Sequence, residues 1–109
     1  MALLHTLPNE AVDVAPLGDR LPHVKTHALF KARDLEVMRL VLTAGKSLPP
    51  HKVAGEITIQ CIEGIIDVTA EGERCTLRPG QLLYLPGDVM HGVEAIEDAS
   101  ALVTVVLQR

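Results

Sequence analysis

Residues 45–64 read GKSLPPHKVAGEITIQCIEG, and residues 80–91 read GQLLYLPGDVMH. Each stretch starts at a glycine, passes through a proline-stiffened bend and delivers a histidine, His51 or His91, to the start of a strand-like run. Proline fixes its own φ and restricts the residue before it, so both imidazoles are presented at set angles. After the first histidine, Ile57, Ile59 and Cys61 alternate with Thr58 and Gln60. That period of two belongs to a strand with one buried face.

Working outward, the same texture fills the chain from His27 onward. Strand-like runs are expected at Ala28 to Lys31, Leu35 to Thr43, Ile57 to Ile62, Ile65 to Ala70, Arg74 to Leu77, Leu82 to Leu85, Gly92 to Ile96 and Ala101 to Leu107. Gly, Pro or Asp marks the bends between them, including Ala44 to Pro50, Glu71-Gly72-Glu73 and Arg78-Pro79-Gly80. No long stretch keeps apolar residues at helical spacing without a Gly or Pro interrupting it, so the body is expected to be an all-β sandwich or closed barrel. Before it, residues 1–26 carry Pro8, Pro16, Gly18 and Pro22 with no sustained period. They predict an extended N-terminal arm with at most one short strand, followed by a β-barrel over residues 27–109.

Composition narrows the function classes. A chain of 109 residues has room for one domain, and 48% apolar content argues against disorder. Aromatics make up 2% and the net charge is −4, so stacking on nucleic-acid bases and binding to anionic membranes are both poor fits. Glu10 and Asp13 interrupt any signal-peptide core, and no apolar run reaches the roughly 20 residues that span a bilayer. A cytoplasmic protein is expected. Cys61 and Cys75 then read as free thiols rather than a disulfide. Leu35 to Thr43 and Ala101 to Leu107 are apolar on nearly both faces, which predicts a homodimer that covers one of them.

Neutral imidazole suits Zn, Fe, Ni or Cu. The two histidine segments together resemble the paired motifs of small single-domain cupins. Gly45, His51 and Gly64 fall at the spacing of the first motif, and Gly80, Pro86 and His91 fall at that of the second. The resemblance spans roughly Leu35 to Leu107 and implies a double-stranded β-helix, the cupin jelly-roll barrel. It also implies a divalent transition metal (Zn, Fe, Ni or Mn) held by His51 and His91. Val53 and Ile57 stand where the family has its second histidine and its carboxylate, Asp88 replaces an inner glycine, and Ala95 replaces an asparagine.

Glu56 lies one residue from the family's acidic position. A regular strand from His51 would point Val53, Ile57 and Ile59 inward and Glu56 outward. A bulge at Ala54-Gly55 would reverse the parity and bring Glu56 to His51 and His91 as a two-histidine, one-carboxylate triad. Gln60 shares the face of Glu56 and is carried with it as a pocket candidate. Arg39 either turns inward to anchor an anionic ligand at the barrel mouth or pairs outside with Glu36 or Glu56, and Tyr84 either offers its hydroxyl to a ligand or packs in the core. Three functions stay open: a small-molecule binding module with little or no metal, a metal-dependent oxygenase or isomerase using His51, Glu56 and His91, and a structural dimer without chemistry.

Overall fold

The computed structural model describes residues 5–107. Residues 1–4 of the expected arm and 108–109 of the expected barrel lie outside the described residues. Among the described residues nine strands follow one short 3-10 helix: β1 (His27–Lys31), β2 (Leu35–Leu42), β3 (Ser47–His51), β4 (Ile57–Glu63), β5 (Ile66–Ala70), β6 (Glu73–Leu77), β7 (Leu82–Leu85), β8 (His91–Ala95) and β9 (Ala99–Val106). They form two antiparallel sheets, ordered β1-β2-β9-β4-β7 and β3-β8-β5-β6. This is the jelly-roll layout, with the core between the sheets.

The period-two pattern places the core. Ile57, Ile59 and Cys61 of β4 meet Val68 and Ile66 of β5, Leu40 of β2, and Val93 and Ala95 of β8 in one buried cluster. Cys61 is buried and Cys75 exposed, and both are free thiols. Among the described residues no helix is long and apolar enough to cross a membrane.

Two elements differ from the sequence expectation. Ser47–His51 is a strand rather than a turn, and His51 ends it instead of opening one. Two prolines argue against a central strand, but β3 is the edge of its sheet, where a missing N–H costs no ladder bond. The second difference lies in the N-terminal segment, where Gly18–His23 winds into a 3-10 helix that buries Leu21.

Candidate ligand cavity and its histidine pair

The register of β3 explains how the histidines meet. Leu48 pairs with Val93 and His51 with His91, so Pro49 and Pro50 on β3 stand against Gly92 alone on β8. The extra residue is a bulge at Pro49-Pro50, and it keeps both Leu48 and His51 aimed at the inner face. On β8, His91 continues the inward row of Ala95 and Val93. The two rings stand with centroids 4.5 Å apart at 51°. His91 is 5% exposed, while His51 is open to solvent.

Each ring is held from behind. His91 Nδ1 lies 3.0 Å from the Val89 carbonyl, and His51 Nδ1 lies 3.3 Å from that of Pro49. A carbonyl only accepts, so Nδ1 carries the proton in both rings and the neutral imidazole keeps Nε2 as an acceptor.

Both rings border a cavity of about 360 Å³ between the sheets, walled by Met38, Leu40, Ile59, Val93, Val103 and other apolar side chains. One wall is formed by Val53, Ala54 and Gly55 of the crossing segment, residues 52–56, which carries the chain from β3 in one sheet to β4 in the other. It fits tightly: a Cβ on Gly55 would lie 1.7 Å from the Val106 carbonyl oxygen. The Asp88 N–H donates to the Val53 carbonyl at 2.8 Å, and Asp88 takes the left-handed conformation (φ 61°) at the position where cupins carry glycine. Asp is one of the few non-glycine residues that adopt this region readily.

This crossing settles the parity of Glu56. The bulge proposed at Ala54-Gly55 does not exist as such, because the chain there belongs to no strand. Ile57 and Ile59 point inward, while Glu56 is exposed and accepts a 2.8 Å hydrogen bond from the Tyr84 hydroxyl. A triad of His51, Glu56 and His91 is therefore not formed. Among the described residues no group of three or more His, Cys, Asp or Glu side chains is placed to hold a metal ion. The Glu56 bond also holds the Tyr84 phenol above its ordinary pKa, since ionisation would set two negative charges side by side.

The pocket candidates are corrected as well. Tyr84 is 56% exposed on the outer face of β7, and Gln60, on the outer face of β4, reaches the Gly80 carbonyl at 3.5 Å. Both follow from alternation, since Thr58 pairs with Tyr84 and Gln60 with Leu82. Arg39 is 4% exposed but faces away from the cavity, because Met38 and Leu40 on either side take the inward positions. A residue the sequence reading did not assign to the site, Glu36, lines the cavity instead. It shares inward parity with Met38 and Leu40, a signal that was available in the alternation of β2.

Arg39 belongs to a second polar cluster on the outer face of the same sheet. Its guanidinium donates to the Ala15 carbonyl (2.6 Å) and Ser100 Oγ (3.1 Å), and pairs with Glu63 (3.4 Å). Glu63 reaches that face through a bulge, since Cys61 pairs with Ala101 and Glu63 with Ser100. Its carboxylate accepts the Leu17 N–H (2.8 Å), the Gly18 N–H (3.1 Å) and the Ser100 hydroxyl. Burial pushes the Glu63 carboxyl up, but these donors and Arg39 outweigh it and hold its pKa below the ordinary value. Gly64, next in sequence, must be glycine, because a Cβ there would lie 2.0 Å from the Asp98 carbonyl oxygen.

Comparison with known proteins agrees with this architecture. A conserved protein of unknown function from Streptococcus pyogenes superposes with a TM-score of 0.77 at 20% identity, over 100% of this chain and 99% of that one. KdgF from Halomonas sp. matches with a TM-score of 0.69 at 26% identity, over 77% of this chain and 78% of its own. Salicylate 1,2-dioxygenase from Pseudoaminobacter salicylatoxidans matches with a TM-score of 0.64 at 22% identity, over 66% of this chain and 20% of that enzyme. No curated protein matches the sequence. Residues 38–107 match the family described as Cupin domain, a span that contains both histidines and most of the cavity wall, and the chain belongs to that family.

Proposed function

We propose that this cupin binds a small, largely apolar molecule in the cavity between its sheets, with the His51–His91 pair at the polar end. One observation carries the reading: the cavity of about 360 Å³ lies beside a core with buried residues at 0–9% exposure and carries two oriented imidazoles. Well-packed interiors contain few such voids, and a preformed apolar pocket with a few convergent polar groups is the usual form of a ligand site. An engineered cavity of about 150 Å³ accepts benzene, so this one has room for about a dozen non-hydrogen atoms.

The donor set does not fit a complete cupin metal centre, because Val53 and Ile57 offer nothing and Glu56 is outside. Two imidazoles alone would hold a first-row divalent ion weakly. We further propose that the chain dimerises through the outer face of its five-stranded sheet, where Leu82 and Tyr84 are exposed beside half-buried Leu102 and Thr104. Light scattering at tens of micromolar that reports a monomer would remove this proposal.

The test of the ligand reading is a titration with 3-phenylpropanol followed by NMR. Saturable shifts of the His51 and His91 ring signals are expected, and Val103→Trp, which fills the cavity, should abolish them. Saturable shifts that persist in Val103→Trp would place the ligand elsewhere.

A further inference from the structure

The cavity wall has an uneven chemistry. Among the described residues, the side chains lining it include three with nitrogen or oxygen atoms: His51, His91 and Glu36. With both Nδ1 atoms committed to carbonyls, the neutral rings present Nε2 as acceptors. Glu36, once ionised, also only accepts, and among the described residues its carboxylate makes no hydrogen bond or ion pair. Lys31 lies opposite it across the β1–β2 pair, but the Lys31 side chain is exposed and does not line the cavity. No lysine, arginine, serine or threonine side chain lines the wall among the described residues.

An anionic head group would therefore meet a carboxylate and two acceptor nitrogens, and burying it there would leave its charge uncompensated. A hydroxyl offers one donor. A primary ammonium offers three donors and the charge that Glu36 lacks, and hydrogen bonds between charged groups are the strong ones. We propose that the cavity selects a primary amine with an apolar body, its ammonium paired with Glu36 in a wall whose other polar side chains, His51 and His91, offer acceptors and no competing cation. This rests on the ligand-binding reading above and gives it a substrate class.

Three probes of matched shape separate the two claims: 3-phenylpropylamine, 3-phenylpropanol and 3-phenylpropanoate, titrated by NMR at pH 8 with a chelator present. The amine should bind about tenfold or more tighter than the alcohol, and the alcohol tighter than the carboxylate. Glu36→Gln should remove the amine's preference over the alcohol, and an unchanged far-ultraviolet circular dichroism spectrum shows that the variant is folded. Should the carboxylate match the amine, or should the preference survive in Glu36→Gln, the amine assignment is wrong while alcohol binding still supports a ligand cavity. Failure of all three probes to saturate would remove the cavity reading and the amine with it.

Discussion

Met38 and Arg39 are neighbours on β2, yet they serve polar clusters of opposite character on the two faces of one sheet. Outside, Arg39, Glu63 and Ser100 bond one another and three backbone groups of residues 15–18, and this ties the N-terminal segment to the barrel. Inside, His51, His91 and Glu36 border an apolar cavity, with the acceptors of all three turned to no described partner. Buried polar groups that satisfy one another, here all but Arg39 Nε, contribute to one defined fold, whereas groups left open toward a cavity are available to a ligand. The difference assigns structure to the first cluster and function to the second.

The strongest way to break that assignment is to remove Arg39. Arg39→Ala strands Glu63, of which 14% of the side chain is exposed, and should cost about 3 kcal/mol in chemical denaturation. It should also raise proteolytic cleavage within residues 10–20 while leaving the phenylpropanol titration intact. A stable variant that loses ligand binding would reverse the roles of the two clusters.

Acidification probes the same staple more gently, because a protonated Glu63 still accepts hydrogen bonds. The Glu63 pKa is lowered in the fold, so its contribution is fully present above the ordinary carboxylate value of about 4.3 and is lost as pH falls through the folded value. The Leu17 and Gly18 amide signals should titrate together below about pH 4.3. A midpoint above that value would show that burial, not the donors, dominates.

The inner cluster should behave in the opposite sense. His51→Ala, at an exposed position, should change stability by less than about 0.5 kcal/mol but abolish any weak binding of a divalent ion by the proposed imidazole pair, read as metal content after dialysis. His91→Ala should abolish it too. A full equivalent of metal surviving a chelator in both variants would place the ion elsewhere.

Much of this was readable in advance, and the reasons for the gaps are specific. Strands whose apolar residues alternate were legible to within a residue or two, as with Leu35–Leu42 and Leu82–Leu85. The Gly, Pro and His spacing was enough to bring His51 and His91 together. What stayed hidden was parity wherever a strand bulges or ends. Pro49-Pro50 looked like a turn because the edge position that tolerates it is a tertiary fact. Glu63 looked like a turn residue because the bulge that turns it toward Arg39 depends on pairing with β9. Arg39 looked ambiguous because its partners come from residues 15 and 100, distant in sequence.

The smallest effect tests the residue on which the two sequence readings diverged. Glu56 and Tyr84 form an exposed hydrogen bond on the outer face, where solvent screening leaves such pairs little influence on folding. Glu56→Gln should therefore alter neither metal retention nor phenylpropanol binding. It should still leave a mark on Tyr84, whose raised pKa comes first from that hydrogen bond, then from desolvation and the nearby carboxylate charge. With a neutral amide in place, ionisation of the phenol no longer meets a negative neighbour, so its midpoint moves down toward about 10. The chain contains a single tyrosine, so an ultraviolet titration of tyrosinate reads this site alone. A lowered tyrosine midpoint with unchanged metal retention fixes Glu56 outside the barrel. An unchanged midpoint with lost metal would return it to the histidines and restore the triad.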